Sequence, residues 1–333
     1  MIVFNSLDDI DIPFETCVTI GNFDGVHRGH QTLINKAIDY SKENDVKSVV
    51  FTFSNHPVNF FKPGYVKNII SAEEKERIVE SMGVDIYICI PFDESMTQIS
   101  ARYYVENILI DKLHVKKMVI GHDFSFARKK EGSPELLKSF GEELKFEVEV
   151  VTPVLLDGKR VSSTDIRKHI AEGDVVAAEH LLGRYFAVEG KVVRGRQIGR
   201  TIGFPTANME YESCMIIPKI GIYATLVIID NEIYCGATSI GTNPTVNGKK
   251  LSVETYILDF DREIYDREIR VEFVEKMREE IKFESKEALR EQLVKDTQYV
   301  RDNYVKCLRG SIDKCEEFNN KVENIRQILK IKN

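Results

Sequence analysis

Hydrophobic positions in the first half of the chain change period several times. Short, nearly continuous apolar runs lie at 17–20, 48–53, 86–90, 118–120 and 146–151, as expected of strands buried on both faces. Between them, at 30–43, 72–81, 101–112 and 134–140, apolar residues return every three or four positions, the spacing of one helix face. This alternation predicts an α/β domain, Rossmann-like, with a parallel sheet and helices on both sides. A helix capped by Ser162 or Ser163 is expected to run to Glu172, and a short one follows over 174–182.

Near Gly183 the pattern changes. Runs at 185–193, 223–229, 232–239 and 253–258 alternate polar with apolar residues and are punctuated by Gly and Pro. They predict a separate antiparallel β-barrel, closed off by a helix over 285–309. Beyond Gly310, the residues Ile312, Cys315, Phe318, Val322, Ile325 and Leu329 recur by threes and fours, which predicts one more amphipathic helix, either packing on the barrel, the favoured reading, or mediating association. The expected organisation is 1–182, 183–309 and a helical tail over 310–333.

The net charge of −7 gives no general attraction for nucleic acid or an anionic membrane, so neither is an expected partner. Cations for phosphate groups must be gathered locally. Cys17, Cys89, Cys214, Cys235, Cys307 and Cys315 form no Cys-x-x-Cys pair, and free thiols in a reducing cytoplasm are expected. No apolar run is long enough to span a bilayer. Asp8, Asp9 and Asp11 replace the basic start of a secretory signal. A cytoplasmic enzyme is the expectation, with self-association open but not predicted.

The most concentrated chemistry is Gly21-Asn22-Phe23-Asp24-Gly25-Val26-His27-Arg28-Gly29-His30. A strand precedes it and a helix follows, so unpaired N–H groups at the helix start form an anion site. Glycines let backbone approach a ligand. His27 and His30, three apart, share a face of the first turn, where two imidazoles can meet charge developing on a phosphate. His56 precedes Pro57, which favours an extended backbone there. After the fourth strand, Gly121-His122-Asp123-Phe124-Ser125-Phe126-Ala127 leads into Arg128, Lys129 and Lys130, a local basic run. Ser162-Ser163-Thr164-Asp165-Ile166-Arg167 offers hydroxyls, helix-start amides and a guanidinium to one phosphate. In the second half, Gly190 to Asn208 combines Gly195, Gly199 and Gly203 with Arg196 and Arg200, then ends Gly-Phe-Pro-Thr-Ala-Asn. With 206–208 extended, Thr206 and Asn208 point to one face and supply hard oxygen ligands suited to magnesium.

These stretches resemble the bacterial bifunctional riboflavin kinase/FAD synthetase family. The first matches its His-x-Gly-His signature, and Ser162–Arg167 its Ser-Ser-Thr-x-Ile-Arg partner. Gly190–Asn208, Pro218–Ala224, Ser239–Thr245 and the strand around Glu254 match its kinase half. Ser125, Ala127 and Ser239 depart from the pattern, the last two where glycine and asparagine are common. The resemblance implies two ATP- and Mg²⁺-dependent transfers: riboflavin to FMN, then FMN to FAD and pyrophosphate. Glu254 is implied as the kinase's general base, and His27 and His30 as the catalytic pair of the synthetase. Nucleotide contacts are implied at Gly21, Asn22, Phe23, Asp24, Gly29, Ser162, Ser163, Thr164 and Arg167, and at Gly195, Gly199, Arg200 and Gly203. Flavin contacts are implied at His56, Asp123, Phe124 and Arg278, and magnesium at Thr206 and Asn208. Riboflavin, FMN and FAD would be substrates or products rather than prosthetic groups. An alternative is a riboflavin kinase whose synthetase half is weak or inactive, given Ser125 and Ala127.

Overall fold

The computed structural model describes residues 1–195, 198–245, 248–310 and 315–331. Arg196 and Ile312 therefore lie outside the described residues. The chain divides into two compact units, Met1–Ser163 and Thr164–Asn333.

The first unit is built on six parallel strands, β1 (Ile2–Phe4), β2 (Thr16–Ile20), β3 (Lys47–Phe53), β4 (Ile86–Ile90), β5 (Val115–Gly121) and β6 (Glu147–Val151), in the order β1-β4-β3-β2-β5-β6. Its helices are α1 (Arg28–Asn44), α2 (Pro57–Phe61), α3 (Ala72–Ser81), α4 (Glu94–Gln98), α5 (Ala101–Tyr103), which continues as a π-helix over Tyr104–Ile110, and α6 (Pro134–Leu144). All five residues of β2 and of β4 are buried, which is why they read as unbroken apolar runs. Alternate residues of β2 serve opposite faces. Val18 and Ile20 join Phe51, Ile88, Val105 and Leu109 in one core, while Cys17 packs with Ala37 of α1 and Val119. Each such fully buried aliphatic side chain contributes roughly 1.5–3 kcal/mol. The sequence pattern missed β1, whose three residues are too short to show a period. A two-stranded hairpin, β7 (Leu155–Leu156) with β8 (Lys159–Arg160), ends the unit.

The second unit begins within α7 (Ser163–Glu172), and α7 and α8 (Val175–Leu182) precede a closed six-stranded antiparallel barrel. Its strands are β9 (Phe186–Val193), β10 (Thr206–Glu210), β11 (Gly221–Ile229), β12 (Glu232–Thr245), β13 (Gly248–Ile257) and β14 (Glu268–Arg278), ordered β10-β13-β12-β11-β14-β9. A short helix, α9 (Ile198–Thr201), lies before β10. The hydroxyls of Thr225, Thr238 and Thr255 form a buried chain at 2.9 Å per link, so these polar groups satisfy one another. On the other face Ala224, Leu226, Cys235, Ala237 and Leu258 pack under Val300 of α10 (Lys286–Val300), Val305 of the following π-turn, and Val322 and Ile325 of α12 (Glu316–Leu329). The expected tail helix thus exists and covers the barrel; α11 (Lys306–Leu308) precedes it.

One expectation is corrected. Cys307 and Cys315 form a disulfide, with Cα atoms 5.5 Å apart. Gly310, just after Cys307, takes φ +67°, a conformation that favours glycine. Eight-residue spacing carries no local signature, so the pair was not visible in the sequence. The other four cysteines are outside any disulfide.

Candidate active sites

Strand order in the first unit runs outward in both directions from β2, through β3 and β4 on one side and β5 and β6 on the other. The crevice of such a sheet opens at the carboxyl ends of the strands flanking the reversal. The loop from Gly21 to His27 leaves β2 at that point. Its backbone is unusual: Phe23, Gly25 and Val26 take φ of +47°, +85° and +35°. Left-handed backbone at the two non-glycine residues costs about 1–3 kcal/mol each, and both side chains are wholly buried, which holds them there. A Cβ on Gly21 would lie 3.2 Å from the Phe23 ring, and one on Gly29 3.1 Å from the His27 ring. These two glycines make room for the site's own rings, not only for a ligand.

His27 caps α1. Its Nδ1 accepts from the His30 N–H at 3.2 Å, which places the neutral ring's proton on Nε2. The two imidazoles stack with centroids 3.5 Å apart and planes 15° apart, and Phe23 meets His30 edge-on at 5.2 Å. The face-sharing expected from the spacing is present. Ser163 donates its hydroxyl to the Asp24 carbonyl at 2.9 Å, which ties the first turn of its own helix to this loop within the first unit. Thr164 and Arg167 lie on the helix that Ser163 opens, and Ser162 immediately precedes it.

Asp24 is buried, and its carboxylate accepts the Ile69 N–H at 2.9 Å and the Ile70 N–H at 3.3 Å. It anchors the segment before α3 to the loop that leaves β2. His56 caps α2 through Nδ1, which accepts from the Val58 N–H at 3.2 Å, and its backbone is extended as Pro57 requires. Its proton too is thereby placed on Nε2. Asn22, Asp24 and His56 line one small cavity. Lys75 lines it with them, and sequence reasoning missed it. Only 6% exposed, Lys75 donates to the Asn22 carbonyl at 2.9 Å, the Thr52 hydroxyl at 3.2 Å and the Phe53 carbonyl at 2.9 Å. Burial pushes the Lys75 ammonium below its usual range, against the opposing fields of Cys89 and Asp24. The available signal was its register: Lys75, Ile78 and Val79 fall on one helical face.

Asp123 and Phe124 stand at the end of β5, outside that cavity's lining. Burial raises the Asp123 pKa, but the hydrogen bond from Arg160 at 2.5 Å and its charge outweigh this and hold it below the usual range. Phe124 stacks with Phe126 at 5.6 Å. Ala127, where the resembling family has glycine, takes φ +64°, ψ 178°, a region that favours glycine.

In the barrel, strand register assembles the kinase candidates. Asn208 pairs with Glu254, Glu254 with Ser239, Ser239 with Ile222, and Ile222 with Arg278. Directly paired residues share a face of the sheet, so one row across five strands carries Asn208, Glu254, Ser239 and Arg278. Thr206 is two residues from Asn208 on the same face. The Arg278 guanidinium is held by buried Asp296 of α10, Nε to Oδ1 at 2.9 Å and Nη2 to Oδ2 at 2.6 Å. Asp296 was not foreseen, because a lone carboxylate in a charged helix carries no pattern.

Gly195, Gly199 and Gly203 differ in purpose. Only Gly203, at φ +87°, uses left-handed backbone. A Cβ on Gly195 would sit 2.5 Å from the Asn208 amide, and one on Gly199 2.2 Å from the Phe204 carbonyl oxygen. Arg200 lies exposed on α9. For magnesium, the Asn208 amide nitrogen faces the Thr206 carbonyl at 3.5 Å, which turns Oδ1 the other way. The Thr206 hydroxyl and this amide oxygen are hard oxygen donors that fit the ion, with phosphate oxygens and water left to complete its shell. Among the described residues no group of three His, Cys, Asp or Glu side chains could hold a metal.

Comparison with known proteins bears on both sites. Residues 10–165 match the FAD synthetase family and residues 182–304 the riboflavin kinase family. A bifunctional riboflavin kinase/FMN adenylyltransferase of Pseudomonas fluorescens is 39% identical over 82% of this chain and 88% of its own. This chain belongs to the bifunctional riboflavin kinase/FMN adenylyltransferase family. The member from Listeria monocytogenes is 37% identical over 87% of this chain and 92% of its own. A Streptococcus pneumoniae crystal structure titled macrolide-efflux protein has the same fold, with a TM-score of 0.84 and 31% identity over 91% of this chain and 99% of that one. No helix among the described residues of this family member is long and apolar enough to cross a membrane. The family's two domains are both present, in the expected order.

Proposed function

We propose that the chain makes FAD in two steps, with residues 1–182 and 183–309 as functional domains and 310–333 as a supporting tail. In the barrel, Glu254 takes the proton from the ribityl 5′-hydroxyl of riboflavin as that oxygen attacks the γ-phosphorus of ATP, giving FMN and ADP. Magnesium at Thr206 and Asn208 would neutralise phosphate charge. Gly195 leaves the space in which the Asn208 amide sits. Arg278, aimed by Asp296, orients the flavin.

In the first unit, an FMN phosphate oxygen attacks the α-phosphorus of a second ATP and pyrophosphate leaves. This nucleophile is already anionic, so no strong base is needed. His27 and His30 serve as donors to the charge that develops on the transferred phosphate. Helix-start groups from Ser162 to Arg167 hold the triphosphate, and His56, Asp123 and Phe124 face the flavin side. The proposed setting is the cytoplasm, where ATP is available.

The observation that carries the kinase reading is the register that sets Glu254 directly beside Asn208. The test is chromatographic: riboflavin and ATP are supplied with and without Mg²⁺, and FMN and FAD are followed over time. FMN appearing first and FAD second, both only with Mg²⁺, is expected. Absence of FMN under all conditions would refute the kinase, and FMN accumulating without FAD would favour the kinase-only reading, to which the strained Ala127 backbone lends support.

A further inference from the structure

Lys75 has a combination of properties that structural packing leaves unexplained. Its ammonium is buried and lines the cavity shared by Asn22, Asp24 and His56. All three of its hydrogen-bond partners are neutral oxygens: the Asn22 carbonyl, the Thr52 hydroxyl and the Phe53 carbonyl. Those bonds fix the nitrogen in place at the ends of β2 and β3 without neutralising it, and among the described residues the one carboxylate whose field reaches it is that of Asp24. The Asp24 carboxylate, which shares the lining, is turned to the Ile69 and Ile70 amides. His56 also lines the cavity, with its proton on Nε2 because Nδ1 accepts from Val58. A fixed cation and an imidazole donor in a partly desolvated recess suit a phosphomonoester dianion, since Coulomb attraction grows as water is excluded.

We infer that Lys75 is a specificity-determining residue that reads the phosphate of FMN, so that the adenylyl-transfer site accepts FMN in preference to unphosphorylated riboflavin. The inference rests on the adenylyl-transfer reading above. There, the triphosphate of ATP is assigned to the His27/His30 stack and the start of α7; Asn22 and Asp24, implied as nucleotide contacts, border this recess, which sets Lys75 and His56 beside the place where the nucleophile's phosphate must lie. An ATP phosphate has the same chemistry, and the experiment separates the two sources. Because its three N–H groups are already occupied, Lys75 acts by charge and by holding the Asn22 and Phe53 carbonyls, with no proton transferred.

The full-length chain is assayed for FAD formation from supplied FMN and ATP, as wild type, Lys75→Met and Lys75→Arg. Lys75→Met should raise KM for FMN by about tenfold or more, as expected for a lost charge contact, well beyond any rise in KM for ATP that follows from losing its hold on the Asn22 carbonyl. Lys75→Arg should recover most of the FMN affinity. Wild-type KM for FMN should fall as pH rises through about 6, where the phosphomonoester takes its second charge, and this dependence should flatten in Lys75→Met. Riboflavin phosphorylation by the same variant reports that the chain is folded. An unchanged KM for FMN, a selective rise in KM for ATP, or an equal fall in every parameter that arginine does not restore would overturn the inference. Wild type making no FAD from supplied FMN would instead sink the adenylyl-transfer reading beneath it.

Discussion

Replacing Ala127 with glycine should strengthen the loop after β5, although it removes a half-buried methyl group. Ala127 takes φ +64° and ψ 178°, where an L side chain collides with its own backbone at a cost of about 1–3 kcal/mol. Glycine relieves this. Two losses oppose the gain: glycine adds about 0.4–1 kcal/mol of unfolded-chain entropy, and the methyl, packed against the core of the first unit, contributes at most about 0.8 kcal/mol. The balance favours Ala127→Gly by about 1 kcal/mol, a factor of about five in the opening equilibrium. The reporters are amides whose bonds close the loop, Arg128 N–H to the Ile99 carbonyl at 2.8 Å and Gly132 N–H to the Phe126 carbonyl at 3.0 Å. Hydrogen exchange at both should slow by about fivefold. Faster exchange in the variant would show that the methyl contact outweighs backbone strain and that the reasoning is wrong.

Glu254→Gln should lower FMN formation by about 10²–10⁴-fold while leaving FAD formation from supplied FMN intact; equal loss of both would argue against two separate sites. His30→Ala should halt the sequence at FMN, with FAD formation down about 10²–10³-fold, measured by the same chromatography. For Asp85, burial raises the pKa, but hydrogen bonds from the Ser48 N–H and hydroxyl and from Lys47 outweigh it and bring the value below the usual range. Its contribution to stability is therefore full above the ordinary carboxylate pKa and fades as pH falls through the lowered folded value. Urea unfolding of Asp85→Asn should show a deficit at pH 7 that shrinks toward pH 3, and a deficit growing with acid would reverse the assignment.

Much of this protein was legible locally. Apolar runs predicted the buried strands of the sheet because a strand covered on both faces has no polar side to alternate with. The three-residue step from His27 to His30 predicted their shared face because one helical turn decides it. The change of period near Gly183 predicted the barrel, and the recurrence from Cys315 to Leu329 predicted the helix that covers it. In each case the information lies within one element, so neighbouring residues suffice to express it.

Other features came only from the folded chain. Asn208 and Glu254 are 46 positions apart in the sequence and become neighbours because closure of the barrel sets one register for all six strands. Asp24 reaches the Ile69 amide and Ser163 reaches the Asp24 carbonyl across long stretches of sequence. Lys75, flanked by glutamates, reads as a solvated residue until the sheet supplies the three oxygens around it. Periodicity records which face of an element is buried; which distant groups meet on that face is decided when the elements pack, because satisfying buried polar atoms is a property of the whole fold.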